Sequence, residues 1–582
     1  MNKVTFMVNL RDIVYEYAIK NAFSYGKANF GSVLSKAISK VPESKKDMQL
    51  LKDTVNEVVN SVNAMSKEDI NREYSKYADI FEKEYQEKLE TTSKANIKIE
   101  GAEKGNVITR FPPEPGGYIH IGNAKQCILS DEISKLYDGK IYLYWDDTNP
   151  EKCKEQYISS IKEDTAWLGI KFDKEYYASD NIDKIYDYGR KLITDGNAYV
   201  CGCSPEEINN NRRNGIECKD RLRPTEENRE LFEKMISGDV EGGKLIVRFK
   251  GDMKSENSAM RDPTLFRINK APHYRQGTKY SVWPTYHMNT PILDSINGIT
   301  DAIRSKEYEV WDSVDKKLIS CLGLRQPRIH YEARLNIEGT ITKKRLIREF
   351  INKGYIKEWD DPRLVTISAL KRRGILPEAI KNFILKFGMS RNDTTVKMDM
   401  LLSENKRILE PTVPHLFFIS NPLELQVDGI DAAPKLKLNP NDKQNPAYRE
   451  YPKDDKFYIS KNSISDLAIG STVKLKDFIN LQLVSIEDKK VTAKALDGKE
   501  HFDKIITWTP YNGKAASSIL IPGEIVDKAE NYIPESIKYV EGYAEGYATE
   551  LKVGDIVLFE KFGYCRLDKI SEGKYDFIFT SG

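Results

Sequence analysis

The stretch TRFPPEPGGYIHIGNAKQ, residues 109–126, constrains the fold of this chain more than any other segment. The apolar run NVITRF (106–111) predicts a strand, Pro and Gly residues then shape a tight loop, and His120 to Asn123 open a helix. The N-terminus of a helix presents unpaired N–H groups and the positive end of the helix dipole, so this turn suits a phosphate. Gly122 permits close backbone approach, and His120 can donate to a phosphate oxygen.

The following segments extend this pattern into an α/β domain. IYLYW (141–145) predicts a second strand and SIKEDTAWLGI (160–170) a second helix. Strands that alternate with helices are typical of a parallel, doubly wound sheet. Neither GxGxxG nor GxxxxGK[ST] occurs in the chain, so two common nucleotide-binding fingerprints are absent from the sequence.

The flanking regions have other patterns. Residues 1–97 are predicted to be helical and either form a packing domain or face RNA with their lysines; one helix face carries Leu51, Val55, Val58, Val59 and Val62. Residues 335–415 return to helical spacing, and the polar stretch 437–456 indicates a linker or a long loop. Beyond it, short strand-like runs separated by turns predict an all-β, barrel-like region.

Composition limits the class of protein. Lys and Arg total 90 against 88 Asp and Glu, a net charge of +2, so any RNA partner must be held by local patches. No apolar run approaches the ~18 residues of a membrane span, and charges come too early for a signal peptide. Seven cysteines, an odd number, predict no disulfide framework and favour a reducing cytoplasm.

The 109–126 stretch resembles the first signature of class I aminoacyl-tRNA synthetases of the glutamyl/glutaminyl branch, where the loop reads FPPEP-x-G-Y-x-HIGH; Asn123 stands in place of the second His. Four further strings resemble family blocks in the same order: YWDDTNPEKCKEQYISSIKEDTAWLGIKFD (144–173), AMRDPTLFRI (259–268), VWPTYHMNTPILDSINGITD (282–301) and WDDPRLVTISALKRRGILPEAI (359–380). The resemblance covers nearly the whole chain and is strongest over 106–380, and the β-rich tail is similar to the anticodon-binding barrels of the archaeal/eukaryotic branch.

This resemblance implies a multidomain α/β protein with a Rossmann-type catalytic domain. The expected parts are a helical N-terminal domain (1–97), the first catalytic half (98–200), a connective acceptor-stem-binding insertion (201–258), the second catalytic half (259–334), a signature loop with a helical stem-contact domain (335–415) and anticodon-binding β-barrels (416–582).

The resemblance also implies the chemistry. The substrate carboxylate attacks the α-phosphorus of ATP, pyrophosphate leaves with Mg²⁺, and the protein stabilises charge without a nucleophile of its own. The second class I signature, a mobile loop with an essential Lys, corresponds to ITKKR (341–345). The implied catalytic residues are His120, Asn123 and Lys343, and the implied ATP-binding residues are His120, Gly122, Asn123, Thr342, Lys343 and Lys344.

The amino-acid pocket is expected to contain Arg110, Asp146, Tyr286 and Arg304. Relatives that use glutamine carry a small neutral residue where this chain has Arg304, and relatives that use glutamate carry Arg there. A buried guanidinium pairs with a γ-carboxylate and meets a neutral amide poorly. The prediction is therefore glutamate. The alternatives for the protein are a glutaminyl enzyme and a catalytically inactive tRNA-binding relative. The alternative for Arg304 is an ordinary surface ion pair.

Three further sets of residues suggest ligands. Cys201, Cys203 and Cys218 are candidates for a zinc site, with Asp220 nearby and unliganded thiols as the alternative. The cations expected to contact tRNA are Arg212, Arg213, Arg221, Arg223, Arg372 and Arg373, although a solvated loop would look the same. Candidates for reading anticodon bases are Trp508, Tyr511 and Arg566, or these belong to the barrel core.

The family resemblance thus implies a cytoplasmic, ATP-dependent enzyme that attaches L-glutamate to the terminal 2′-OH of tRNA(Glu). Whether it also charges tRNA(Gln) stays open. A monomer and no membrane association are expected.

Overall fold

The computed structural model describes residues 3–442, 446–496 and 502–582. It divides the chain into two compact units, one up to Thr92 and one from Ser93 onward. In these described ranges no helix is long and apolar enough to cross a membrane.

The first unit is helical, as predicted. Its helices are α1 (Lys3–Tyr25), α2 (Phe30–Lys40), α3 (Met48–Asn63) and α4 (Lys67–Asn96), the last of which ends beyond the unit's boundary. Asn29 and Asp47 cap α2 and α3 by accepting from backbone N–H groups. The five apolar residues predicted to share one face of α3 are all buried, at most 6% exposed. This face packs against α1 and α2 in one core.

The second unit begins with alternating strands and helices. In chain order they are β1 (Ile108–Phe111), α5 (Ile121–Leu136), β2 (Lys140–Trp145), α6 (Glu155–Trp167), β3 (Lys174–Tyr177), α7 (Ile182–Thr194), β4 (Ala198–Cys201), α8 (Pro205–Asn214), α9 (Thr225–Ile236), β5 (Ile246–Phe249), β6 (Thr264–Ile268), β7 (Val282–Pro284), α10 (Tyr286–Ile296), β8 (Asp301–Ser305), α11 (Asp312–Leu322) and β9 (Arg328–Glu332).

The parallel sheet predicted from the alternating pattern is present. Strands β1, β2 and β3 pair in parallel, and so do β8 and β9. The backbone N–H of Thr300 donates to the carbonyl of Ile108 at 3.0 Å, which places β8 beside β1. Loops that follow β1, β2 and β8 therefore meet at the carboxyl ends of these strands, where α/β sheets bind their ligands.

An antiparallel sheet interrupts this parallel arrangement. Its order is β4-β5-β6-β7, so the strands at 264–284 complete a sheet begun at 198. The insertion thus shares its sheet with segments on both sides of 201–258.

The next region is mostly helical. It contains β10 (Leu335–Ile337), α12 (Lys344–Asn352), α13 (Ile367–Arg373), α14 (Pro377–Phe387), β11 (Thr394–Val396) and α15 (Asp399–Leu409). Thr366 caps α13, and Gly374 ends it in the left-handed conformation.

The remaining chain forms the predicted all-β region. Its elements are β12 (His415–Leu416), β13 (Phe418–Ser420), β14 (Pro422–Asp428), β15 (Lys435–Lys437), β16 (Tyr448–Glu450), β17 (Lys456–Ser460), α16 (Lys461–Ile464), β18 (Thr472–Leu475), β19 (Asn480–Ile486), β20 (Lys490–Leu496), β21 (Lys504–Ile506), β22 (Trp508–Pro510), β23 (Ala515–Pro522), β24 (Ile537–Ala544), β25 (Ile556–Phe559), β26 (Gly563–Ser571) and β27 (Lys574–Ser581).

These strands form two seven-stranded sheets. One has the order β12-β25-β26-β27-β23-β24-β13, and the other β21-β18-β19-β20-β14-β17-β22. The chain therefore starts the first sheet, builds the second and returns to finish the first.

The stretch 437–456 is more than the linker or loop that its polar composition suggests; residues 443–445 within it lie outside the described ranges. Around that gap, β15 and β16 form an antiparallel hairpin. The hairpin is anchored because Arg449 is 4% exposed and its Nε lies 2.9 Å from Oε1 of Glu545. Glu545 also accepts from the backbone N–H of Phe417 and the hydroxyl of Tyr451.

Replacing Arg449 by Met should destabilise the β region by about 3–5 kcal/mol, because Glu545 would keep a buried charge without its cation. Urea unfolding followed by the fluorescence of buried Trp508 would measure the loss. The matched control is Lys435→Met on the same hairpin, whose exposed pair with Glu450 should be worth less than about 1 kcal/mol. Equal stability of the two variants would contradict the anchoring role.

Candidate active site

His120 occupies the N-cap of α5, immediately after the Pro/Gly loop. Its Nδ1 accepts from the backbone N–H of Gly122 at 3.0 Å, and the Asn123 Oδ1 accepts from the backbone N–H of His120 at 3.2 Å. Burial, and then the nearby Lys344, lowers the pKa of His120 to about 4. The ring is therefore neutral at pH 7 and carries its proton on Nε2. His120 thus offers a hydrogen-bond donor without a charge.

The structure brings the HIGN loop and the WDDPR segment together. The backbone N–H of Ile121 donates to the carbonyl of Val365 at 2.9 Å, and that of Ile367 donates to the carbonyl of Ile119 at 3.0 Å. These two bonds fix the start of α5 against the start of α13.

The second predicted signature lies against the first loop. Lys344 begins α12, and its Nζ donates to the backbone carbonyl of Glu114 at 3.3 Å. Burial lowers the pKa of Lys344. Lys343 instead has a side chain 65% exposed, with its Nζ 2.6 Å from Oε2 of Glu530. Of the two lysines, the structure places Lys344 at the site and Lys343 outside it, with half-buried Thr342 before them.

Arg348 was missed by the sequence reasoning. It donates to the carbonyl of Gly116 and lies over the Trp359 ring, with Cζ 5.9 Å from the centroid. The available signal was its spacing, because a residue four positions after Lys344 lies on the same helix face.

Two arginines predicted for the amino-acid pocket are deeply buried. Arg110 is 1% exposed and Arg304 3% exposed, so Arg304 is not a surface ion pair. The Cζ of Arg304 lies 5.5 Å from the ring centroid of Tyr286, the first residue of α10. Glu307, three residues beyond Arg304, pairs with Arg334 and not with Arg304.

Asp146 follows β2 at the same edge of the sheet. Its Oδ1 accepts from the amide of Asn289 at 2.8 Å, and Asn289 lies one helical turn from Tyr286 on α10. Burial, together with the neighbouring Glu114 and Asp147 carboxylates, raises the pKa of Asp146 to about 7. A cationic ligand at this carboxyl group would favour its ionised form.

The three predicted cysteines converge. Sγ of Cys218 lies 3.5 Å from that of Cys201 and 3.3 Å from that of Cys203, and ligand atoms of these three and Asp220 all lie within 4.8 Å of one another. Asp220 is held in place because its Oδ2 accepts from the Gly202 N–H at 2.8 Å. Three sulfurs and a carboxylate at this spacing form a donor set that suits a tetrahedral cation.

The arginines of the insertion differ in their availability. Arg213 is exposed, and Arg212 donates to the carbonyl of Ser258 at 3.0 Å. Arg221 is paired with Asp262 and Glu217, and Arg223 with Asp220 and Glu227. The last two therefore brace the insertion itself.

The predicted basic patch on α13 also packs inward. Arg372 pairs with Asp568 at 2.8 Å, and Arg373 is 7% exposed. The backbone carbonyl of Arg373 accepts from Thr580. This burial argues against Arg373 as a tRNA contact.

The three barrel candidates separate in the structure. Trp508 is 1% exposed and belongs to the barrel core. Arg566 donates to the carbonyl of Arg372 at 3.3 Å, so it joins the barrel to α13. Tyr511 is half-buried and stacks on Tyr458 with centroids 5.1 Å apart.

Comparison with known proteins places this arrangement in a family. The model for the catalytic domain of class I tRNA synthetases (E and Q) matches residues 106–411, and the model for their anticodon-binding domain matches 413–499. The chain belongs to this family of class I aminoacyl-tRNA synthetases, and the family prediction made from the sequence is confirmed.

The chain is similar, over nearly its full length, to several proteins named glutamate–tRNA ligase. The protein of Thermococcus kodakarensis is 36% identical, over 99% of this chain and 100% of its own length. The protein of Pyrococcus furiosus is 35% identical, over 97% and 99%. That of Nitrosopumilus maritimus is 34% identical, over 95% and 97%.

Replacing Gly122 by Ala should displace the His120 ring, because the new Cβ would lie 2.9 Å from Cε1 and 3.0 Å from Nδ1. The expected loss in kcat/KM for ATP is on the order of 10²-fold, as for a catalytic group misplaced by about 1 Å. Aminoacylation at varied ATP measures it. Gly242→Ala is the control, because no atom lies within 4 Å of a Cβ there. If both variants kept full activity, Gly122 would not set the ring's position.

Proposed function

We propose that this chain is a glutamate–tRNA ligase. It activates L-glutamate with ATP to glutamyl-adenylate and transfers the glutamyl group to the 2′-OH of the 3′-terminal adenosine of tRNA(Glu). The observation that carries this proposal is the buried guanidinium of Arg304 beside Tyr286, at the edge of the sheet where Asp146 also lies. The names of the full-length relatives support the same activity.

Arg304 provides the reason for glutamate rather than glutamine. A hydrogen bond to a charged group is worth about 1.5–3 kcal/mol, which corresponds to roughly 10- to 150-fold in selectivity. The γ-carboxylate of glutamate accepts from Arg304 in a hydrogen bond between two charged groups, whereas a γ-amide offers only a neutral acceptor. Asp146 receives the substrate ammonium, and Tyr286 and Arg110 complete the pocket.

The first chemical step needs no protein nucleophile. An α-carboxylate oxygen of glutamate forms a bond to the α-phosphorus of ATP, and the bond from that phosphorus to the bridging oxygen breaks, which releases pyrophosphate. The Nε2–H of His120 binds a phosphate oxygen, with the positive end of the α5 dipole and the Asn123 amide beside it. Mg²⁺ arrives with the nucleotide, and we assign no residue to it.

The second signature, residues 341–345, stabilises the charge on the departing pyrophosphate. Lys344 already lies at the first loop, whereas Lys343 must leave Glu530 to reach the phosphates. An exposed ion pair contributes at most about 1 kcal/mol, so this movement has a small free-energy cost. Thr342 provides a hydroxyl in the same segment.

The tRNA contacts are assigned to cations of the insertion and of α13. Arg212 and Arg213 in the insertion bind phosphates of the acceptor stem, while Arg221 and Arg223 hold the insertion in shape. Arg372 lies between the active site and the barrels, which bind the anticodon arm. By resemblance to the family, the enzyme acts as a cytoplasmic monomer, and tRNA(Gln) is a second candidate substrate.

Zinc suits the cysteine cluster of the insertion. Cys201, Cys203, Cys218 and Asp220 would hold the ion, whose contribution is to cross-link the start of the insertion to its basic segment. No step of the reaction passes through this site.

The test of the proposed activity is transfer of labelled glutamate and, separately, labelled glutamine to tRNA(Glu) with ATP and Mg²⁺. Glutamate should be transferred roughly 10- to 150-fold more efficiently than glutamine. Arg304→Gln should lower kcat/KM for glutamate by roughly 10- to 150-fold, and Arg334→Gln, which removes an exposed pair, should not. Transfer of glutamine alone would indicate a glutaminyl enzyme. Binding of tRNA without transfer of either would indicate an inactive relative.

Lys343→Ala should reduce the rate of aminoacylation by about 10²–10³-fold, as for the loss of one charge-stabilising donor. Arg345→Ala, an exposed cation in the same run, is the control and should stay within a few-fold of the parent. An unchanged rate in Lys343→Ala, with a large loss in Lys344→Ala, would transfer the role to Lys344.

A further inference from the structure

The guanidinium of Arg304 is held by carboxylates from two helices. Nη1 of Arg304 donates to Oδ2 of Asp315 on α11 at 2.8 Å. Nη2 lies 3.6 Å from Oδ2 of Asp294 on α10. Both carboxylates are fully buried, so these contacts are not weakened by solvent.

The Asp315 carboxylate is itself oriented from its other side. Its Oδ1 lies 2.9 Å from Nδ1 of His287, whose side chain is 11% exposed. The His287 ring packs against Trp311 with centroids 5.0 Å apart. Asp315 thus bridges an aromatic-packed histidine and the substrate-pocket arginine, and neither oxygen is left to reorient.

Part of the hydrogen-bonding capacity of Arg304 is unused. In the described part of the chain, the buried Nε of Arg304 has no hydrogen-bond acceptor, and Nη2 lies 3.6 Å from Asp294, beyond hydrogen-bond distance. A buried N–H without an acceptor is costly and uncommon. Because Nη1 is committed to Asp315, the guanidinium cannot turn to satisfy Nε elsewhere. The arrangement therefore leaves the donors on Nε and Nη2 for a ligand carboxylate.

We propose that Asp315, held by His287, is a positioning residue that fixes Arg304 for the γ-carboxylate of glutamate and thereby determines selection of glutamate over glutamine. This inference rests on the proposed function, in which Arg304 binds that carboxylate. Asp315 touches Arg304 rather than the substrate.

Asp315 has two effects on a ligand carboxylate, and they have opposite signs. As an anchor it aligns Arg304, so its removal weakens glutamate binding. As a negative charge it reduces the attraction of the Arg304 region for an anion, so its removal would strengthen glutamate binding. The direction of the change in KM therefore distinguishes positioning from simple charge balance.

The experiment is the Asp315→Asn substitution in the full chain, with kcat and KM measured for glutamate and for glutamine. The KM for glutamate should rise roughly tenfold or more, as for a misaligned binding group, while kcat at saturating glutamate stays within about threefold. The ratio of kcat/KM for glutamate to that for glutamine should fall by a similar factor. His287→Asn, which keeps Asp315 but removes its support, should shift KM in the same direction by a smaller factor.

A matched control lies on β8, the strand that also carries Arg304. Asp301 is also fully buried and also bridges an arginine and a histidine, with Arg328 Nη2 at 2.7 Å and His330 Nε2 at 2.8 Å. It is absent from the proposed pocket. Asp301→Asn should therefore lower the melting temperature without changing the KM ratio of the two amino acids.

Three results would overturn the inference. They are an unchanged or lowered KM for glutamate in Asp315→Asn, a change of kcat alone, and an equal change of KM in Asp301→Asn. Failure of the proposed function is separate, because the unsubstituted protein would then transfer no glutamate, whereas unaltered glutamate kinetics in Arg304→Gln would contradict the role of Arg304. If Arg304→Gln impairs glutamate use and both Asp315→Asn and His287→Asn do not, only the positioning role of Asp315 is wrong.

Discussion

The catalytic domain depends on burying two arginines, which lie in its proposed amino-acid pocket. A charge taken out of water costs several kcal/mol unless a counter-charge and hydrogen bonds accompany it. Asp294 lies beside both: its Oδ1 accepts from Nε of Arg110 at 3.0 Å, and its Oδ2 lies 3.6 Å from Nη2 of Arg304, whose hydrogen bond goes to Asp315. Arg110 lies on β1, whereas Asp294 and Arg304 come from the second half of the domain. The two halves are therefore joined by ionic bonds that form only when β8 lies beside β1, so correct assembly and the pocket require the same contacts.

Local sequence pattern predicted the elements whose signals lie close together in the chain. The strand at 106–111, the strand at 141–145 and the helix that includes 160–167 are present because their apolar periodicity matches the face that each buries. The His120 turn was predicted for the same reason, since the capping residue and the helix it caps are adjacent. The motifs of the family then predicted the order of the domains and the residues of the amino-acid pocket.

What the sequence could not provide is the pairing of distant charges. Nothing in the local sequence distinguishes Arg373, which is 7% exposed, from Arg213, which is exposed. Arg373 is buried because it packs against a strand about 200 residues away. The partners of Arg304 were equally impossible to predict from the sequence, since Asp315 lies on the next helix and nothing local indicates whether it faces the core or solvent. The polar composition of 437–456 suggested a loop because the one residue that anchors the hairpin, Arg449, is itself polar.

The return of the chain from the second β sheet to the first explains how the signature loop is held. The segment between β23 and β24 packs on the signature region: the Ile525 N–H donates to the Gly339 carbonyl at 2.8 Å, and Tyr532 stacks on Tyr355 with centroids 4.0 Å apart. Glu530 lies on this same segment.

These contacts limit which part of the signature loop can move. Ile341 before the lysines is 2% exposed, and Ile347 after them is fully buried. Between these two anchors the side chain of Lys343 is held by its exposed pair with Glu530, and the backbone carbonyl of Lys343 accepts from the N–H groups of Leu346 and Ile347. Rearrangement of the Lys343 side chain therefore requires loss of one solvent-exposed ion pair, whereas displacement of α12 as a whole would uncover the core that it shares with Ile525 and Val526. The fold thus fixes α12 and leaves the Lys343 side chain weakly held, and it does so with a segment of the β-barrel region.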